Sequence, residues 1–342
     1  MTKERNFFPA EWDLQSGIQL AWPDEETDWG PALDEVLPVF EQVASEILRR
    51  EKLLVVCRSR RRLPPFLRQD LPGLQVRELP LNDTWARDYG ALTVMEAGRP
   101  VLLNFCFNGW GMKFAACHDN QINDRLFRAG AYRRGVSMRQ LSWFIFEGGA
   151  VESNGEGCLL TTSRCLLSRN RNEHLGKQEI DALLRKTFFA DKLIWLDHGF
   201  LEGDDTDSHI DTLARFCSPR TIAYVRCTNQ DDVHYEELQL MENQLCQAVN
   251  QYGASFELVP LPFPDPVYAS DGHRLPATYA NFLILNQVVL LPVYGVRQDA
   301  EAREILSRLF TDREIVCINS VPLIAQHGSV HCISMQFPGG VL

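Results

Sequence analysis

The sequence predicts an α/β protein built from five related strand–strand–helix–strand units, set around an axis and closed by the two chain ends. Three observations predict it. Amphipathic helical stretches alternate with short apolar runs. Each of the last four helices is preceded by two such runs joined by turn-forming residues. The pattern returns about every 50–70 residues, which marks repeat architecture even without evident identity between units.

The helices come first, because their apolar spacing is the clearest signal. In DEVLPVFEQVASEILRR, Val36, Leu37, Phe40, Val43 and Ile47 share one face. Pro38 is tolerated there if Asp34 is the N-cap, because first-turn N–H groups have no intrahelical partner. Ile180, Leu183, Leu184 and Phe188 form a second stripe, and Leu238, Met241, Leu245 and Val249 a third. Ile305, Leu306 and Leu309 form a fourth, and HDNQINDRLFRAG suggests a weaker helix. The runs KLLVVC, MRQLSWFIF, KLIWL, FELVPLPF and REIVCIN follow the helices and read as strands. Hairpins are predicted with turns at Ala97-Gly98, Asn154-Gly155, Ser218-Pro219 and Asn286-Gln287. The remaining unit joins the C-terminal run SVHCISMQF to the N-terminal run GIQLAWP, helix 34–50 and KLLVVC. A ring joined through its ends removes exposed sheet edges. No linker or low-complexity stretch divides the chain, so residues 1–342 are expected to form one catalytic domain. An ordinary mixed α/β sheet is the alternative.

A net charge of −11 argues against nucleic acid and against an anionic membrane surface, and suits a cationic substrate. No signal-peptide pattern opens the sequence, and no apolar run approaches the ~18 residues needed to span a bilayer. Ten Cys without a secretion signal imply reduced thiols and a cytoplasmic location. No CxxC pair or zinc spacing occurs, and the Gly328-Ser329 step between His327 and His331 argues against a helical metal pair. Cys158, Cys165, Cys217, Cys227 and Cys317 read as small buried hydrophobes. His174, His198, His234 and His273 read as surface residues. His331 alternates with Cys332 along a strand and should face the opposite side. The basic run 58–70 reads as a solvated loop.

Reactive residues cluster where each unit's first strand begins. They are Asp88 in WARDYG, Glu147 in FEGG, His209 and Asp211 in DSHID, Tyr279 and Asn281 in YAN, and His327 and Cys332 in QHGSVHC. Units set around an axis bring these positions to one pocket. A Cys and a His suggest a thiol nucleophile. Carboxylates in the same pocket repel a thiolate unless a cation sits among them. A guanidinium is such a cation: planar, always charged and matched to bidentate carboxylates. Its central carbon is open to thiolate attack once the charge is held in place.

With these motifs the sequence resembles the agmatine deiminase family, bacterial-type relatives of peptidyl-arginine deiminases among the guanidino-group-modifying enzymes. The stretches that carry the resemblance are WARDYG, FEGGAVESNGEGCLLTTSRCLLSRNRN, GDDTDSHIDTLARF and HGSVHCISMQFP, spread over nearly the whole chain. The resemblance implies a five-bladed, pentein-like α/β propeller. It implies Cys332 as nucleophile, His209 as general acid and base, and Asp88 and Asp211 as the carboxylates that grip the guanidinium. Glu147 is expected to orient the site or substrate, Trp85 to lie along the substrate, and Asp205 or Asp207 to meet a distal ammonium. The C-terminal motif departs from the family's more glycine-rich form around His327. No metal or organic cofactor is expected, since the Asp204, Asp205 and Asp207 run lacks the calcium-loop pattern. The implied partner is a small cationic guanidino substrate, with no nucleic acid or membrane; a homo-oligomer is compatible. Agmatine leads the candidates. Free arginine, peptidyl-arginine, amidino transfer to an amine, and a silent guanidine- or polyamine-binding protein are the alternatives.

Overall fold

The computed structural model describes residues 5–342. Among these residues, sixteen strands fall into five separate sheets. Four of these sheets share one plan: an antiparallel hairpin, a helix crossing over one face, and a third strand parallel to the second. The first has β4 (Leu92–Glu96), β5 (Arg99–Cys106), helix Ile122–Arg128 and β6 (Ser137–Ile145). The second has β7 (Glu152–Ser153), β8 (Cys158–Thr162), helix Lys177–Thr187 and β9 (Lys192–Leu196). The third has β10 (Ala214–Ser218), β11 (Thr221–Arg226), helix Tyr235–Gln247 and β12 (Glu257–Pro262). The fourth has β13 (Leu283–Ile284), β14 (Val288–Val293), helix Gln298–Leu309 and β15 (Glu314–Asn319).

The fifth sheet joins the two ends of the chain. β16 (Ser334–Pro338) runs antiparallel to β1 (Gln15–Ala21), from Gln15 opposite Pro338 to Leu20 opposite Ser334. Helix Leu33–Leu48 leads to β2 (Lys52–Cys57), parallel to β1, and β3 (Leu74–Glu78) adds a fourth strand. The sequence reading lacks β3, because LQVRE is half-buried along its length and carries too weak an alternation.

Other differences have local causes. Helix Leu33–Leu48 is preceded by Ala32 at the N-cap, and Asp34 lies in its first turn. There a carboxylate still favours the positive end of the helix dipole. Pro38 lies inside and forgoes one backbone bond to the Asp34 carbonyl. The expectation that closure removes sheet edges is not met. Strands pair within units, so each sheet keeps its own edges, and no closed barrel forms among the described residues. The hairpin turns follow their residues, with Ala97 and Gly98 at φ of 47° and 74°. His234, read as a surface residue, is buried. It contacts Asp232 at 2.6 Å and accepts the Glu202 N–H at 2.7 Å. Arg58 and Arg62 of the basic run both bridge to Asp24, at 2.6 and 2.8 Å. No helix among the described residues is long and apolar enough to cross a membrane.

The units matter for what stands at their starts. Asp88 ends in a short helix just before β4, and Glu147 and Gly149 lie just before β7. His209 and Asp211 precede β10, Asn281 precedes β13, and Cys332 sits in the turn before β16. The run SVHCISMQF is therefore strand only from Ser334 onward.

Candidate active site

Cys332 is 4% exposed and lines a cavity of about 110 Å³. Asp28, Asp83, Trp85, Asp88, Trp110, Phe114, Asp205 and His327 line much of the rest, and among the described residues no Lys or Arg does. Behind the wall the reactive groups meet. The Cys332 sulfur is 3.9 Å from Asp211 Oδ2 and 3.4 Å from Asn281 Oδ1. His209 Nδ1 is 3.5 Å from Asp88 Oδ1, and its Nε2 is 3.4 Å from Glu147 Oε2.

Gly149 shows how tightly these groups close. A Cβ built there would lie 2.5 Å from His209 Nδ1, 2.9 Å from Asp88 Oδ1 and 3.2 Å from Asp211 Oδ2. Only glycine leaves room for all three. Gly328 does the same for Trp85, whose ring a Cβ would meet at 2.1 Å.

Each acidic group is fixed by named donors. Asp88 accepts from the Gly149 N–H at 3.0 Å and from Trp110 Nε1 at 2.8 Å. Asp211 Oδ2 accepts from His331 Nδ1 at 2.7 Å, while its buried Oδ1 has no hydrogen-bond partner among the described residues. Asp83 Oδ2 accepts from Trp85 Nε1 at 3.0 Å and so sets the tilt of that ring. His209 is delivered by Asp207 and Ser208, two successive residues in the left-handed region at φ of 66° and 64°. Backbone held this way costs free energy that the surrounding fold must supply.

Burial and mutual charge shift these groups. Burial, then Asp211 and Asp88, hold the Cys332 thiol well above its ordinary range. Burial pulls the His209 value down, but Asp88, Cys165 and Glu147 outweigh it and keep the ring protonated well above its usual range. Burial pushes Asp88 up to about 6, with Asp211 and Glu147 adding and His209 opposing. Burial also opposes ionisation of Asp211, yet His331, His209 and Arg215 bring it below the usual carboxylate range.

The site residues read from the sequence divide accordingly. Cys332, His209, Asp88 and Asp211 come together with Asn281, and Trp85, Asp205 and His327 line the cavity. Glu147 does not line it: fully buried, it is bound by Arg171 Nε at 2.8 Å and backs the far side of His209. Asp207 is likewise engaged, by Lys113 at 2.8 Å and Arg171 at 2.6 Å, which leaves Asp205 as the carboxylate of that loop facing the cavity. Tyr279 points away and donates to Asp299 at 2.6 Å. His331 does face away from the cavity, but from a turn rather than by strand alternation. Sequence reasoning missed Asp28, Asp83, Trp110 and Phe114. Trp110 sits in an irregular turn at φ 54°, and no local pattern announces it.

A thiol, an imidazole and paired carboxylates meet beneath an acid-lined cavity, a setting chemically suited to a flat cation. Comparison with known proteins narrows this. The family model for Porphyromonas-type peptidyl-arginine deiminases matches residues 7–338. The agmatine deiminase of Stutzerimonas stutzeri is 30% identical, over 97% of this chain and 95% of that protein. A Porphyromonas gingivalis structure, provisionally named an arginine deiminase, is 47% identical with a TM-score of 0.93, covering 99% of this chain and 100% of that one. An agmatine deiminase from C. jejuni, in a cysteine-to-serine form with substrate bound, is 36% identical with a TM-score of 0.92, covering 99% and 98%. The chain belongs to the Porphyromonas-type peptidyl-arginine deiminase family, and the curated relatives it matches in Stutzerimonas stutzeri and Pseudomonas fluorescens are named agmatine deiminases.

Proposed function

We propose that this protein hydrolyses agmatine to N-carbamoylputrescine and ammonia, a step toward putrescine, through a covalent intermediate on Cys332. One observation carries the choice of substrate. Among the described residues, the cavity over Cys332 is lined by four Asp and no Lys or Arg. Agmatine is cationic at both ends. Free arginine brings an α-carboxylate that needs a cationic partner, and the provisional name of the Porphyromonas gingivalis relative makes it the competing substrate to test.

Asp88 and the free Oδ1 of Asp211 accept hydrogen bonds from the guanidinium and hold its carbon before the sulfur. Trp85 covers the methylene chain, and Asp205 is suited to the distal ammonium. Burial and then the two carboxylates hold the thiol protonated; the bound cation neutralises the carboxylates and sets a positive charge beside the sulfur, so its proton leaves to solvent and the thiolate attacks. Protonated His209 gives its proton to the departing nitrogen, ammonia leaves, and an S-linked amidinium remains on Cys332. His209 then takes a proton from water as the oxygen adds to the same carbon. The C–S bond breaks, the thiolate is restored, and the ureido product sheds its extra proton. Glu147 and Arg171 hold His209 from behind. In this reading the five units are blades of a propeller around the site, the whole chain acts as one catalytic domain, and the free thiols suit the cytoplasm.

The assay is product identification. Incubation with agmatine, free arginine and an arginyl peptide, with a colour test for ureido groups, should give product chiefly from agmatine; preference for free arginine overturns the substrate choice. The pH dependence has a definite sign. Asp88 titrates at about 6 in the free enzyme and must be ionised to bind a cation. Below that pH kcat/KM is expected to fall as Asp88 protonates, and steady-state kinetics across the acid range check it. Gly149→Ala tests the packing. A methyl there displaces His209, Asp88 or Asp211, so turnover should fall at least about 100-fold, while overpacking costs about 1–3 kcal/mol of stability. Ammonia release and a thermal melt measure the two effects separately.

A further inference from the structure

Behind the site lies a buried chain of charged groups that the reaction scheme does not use. His331 Nδ1 meets Asp211 Oδ2 at 2.7 Å, and His331 Nε2 meets Glu11 Oε2 at 2.9 Å. Nδ1 faces the Asp211 carboxylate, where a hydrogen bond requires it to donate, while Nε2 faces both Glu11 Oε2 and, at 3.2 Å, Arg215 Nη2. Glu11 also binds Arg215, and its other oxygen accepts the Ile284 N–H at 2.7 Å. Arg215 is fully buried, reaches Glu152, donates to the Phe282 carbonyl at 2.6 Å and lies over the Phe282 ring. The chain therefore runs from the N-terminal segment through the turn before β16 to the carboxylate beside Cys332.

This arrangement fixes which oxygen of Asp211 is free. His331 occupies Oδ2, and Oδ1 is left buried and without a partner among the described residues. The backbone N–H groups of His331 and Cys332 both donate to Asn281 Oδ1, at 3.1 and 3.3 Å, so imidazole and thiol are held on one frame. Arg215 and Glu152 already occupy the space beside Glu11, which makes a metal among Glu11, Glu152 and His331 a poorer use of this cluster.

We infer that His331 is a positioning residue: its Nδ1–H, backed by Glu11 and Arg215, pins Asp211 so that Oδ1 alone is presented to the substrate's guanidinium. The inference rests on the deiminase reading above. The charged groups facing Asp211 are His331, His209, Asp88, Arg87, Arg215 and the Cys332 thiol; those facing His331 are Asp211, Glu11, Arg215 and Glu152. His331 makes the short hydrogen bond to the Asp211 carboxylate, at 2.7 Å against 3.9 Å for the Cys332 thiol, so its loss frees that group to rotate and to take up a proton at higher pH.

The test compares His331→Asn with His331→Gln, using agmatine as the probe and the full chain throughout. An Asn amide can place its N–H close to where Nδ1 stood, whereas a Gln amide reaches toward Glu11 and leaves Asp211 Oδ2 without its donor. His331→Gln is expected to lose about 10–100-fold in kcat/KM, the scale of one hydrogen bond to a charged group, mostly through KM. The acid limb of its pH profile should move to higher pH. His331→Asn should recover much of both. Glu11→Gln, one residue further from Asp211, should move the limb in the same direction by less, and serves if the His331 variants do not fold. Equal losses in the two His331 variants, or an acid limb that stays put in a folded variant, overturn the inference. Absence of agmatine turnover in the unaltered protein overturns the substrate reading instead.

Discussion

Replacing Cys332 with alanine is expected to end ammonia release from agmatine while leaving agmatine bound. Among the described residues that line the cavity, which include His327, the Cys332 thiol is the strongest nucleophile once ionised; His209 and Asp211 stand behind it, and Asn281 is not nucleophilic. Loss of a nucleophile of this kind lowers turnover by about 10⁴-fold or more. Binding depends on other groups. Asp88, the free oxygen of Asp211, Trp85 and Asp205 are untouched, and the alanine methyl adds no bulk. Ammonia release measures the first effect and titration calorimetry the second. Loss of binding in a folded variant would show that Cys332 supports the site rather than reacts in it.

Asp88→Asn is expected to damage binding and rate together, lowering kcat/KM by about 10²–10³-fold, as removal of one member of a buried charge pair does. Three effects coincide. The guanidinium loses an anionic acceptor. His209 loses the carboxylate that does most to hold its proton, so less of the general acid is present at neutral pH. An amide also cannot satisfy the existing donors: the Gly149 N–H and Trp110 Nε1–H approach different oxygens of Asp88, and one of them would face an NH₂ group. Steady-state kinetics and a pH profile separate these effects. A loss confined to KM would remove Asp88 from the orientation of His209.

The recurring plan was legible because its signals are local. Turn residues such as Ala97-Gly98 sit between β-rich runs, and helix faces repeat at 3.6 residues. The reactive positions were legible for a related reason. Asp88, Glu147, His209, Asp211 and Cys332 each interrupt the sequence just ahead of an apolar strand, and the shared placement pointed to a shared pocket. What stayed hidden depends on contacts between distant segments. Trp110 reaches Asp88 from an irregular turn, and Arg171 takes Glu147 out of the cavity by closing on it from 24 residues away. His331 looked like the outward partner of Cys332, yet it joins Glu11, 320 residues distant, to Asp211. Asp83 and Asp28 look like ordinary loop acids until the fold sets them side by side, where burial and Asp28 push Asp83 up to about 7.

Mass spectrometry of the enzyme quenched in acid during agmatine turnover tests the central claim most directly. The account predicts an agmatine-derived adduct, lacking the elements of ammonia, on the peptide that holds Cys332, and none on the Cys332→Ala variant. An adduct mapped to any other residue, or ammonia released by that variant at the unaltered rate, would contradict it.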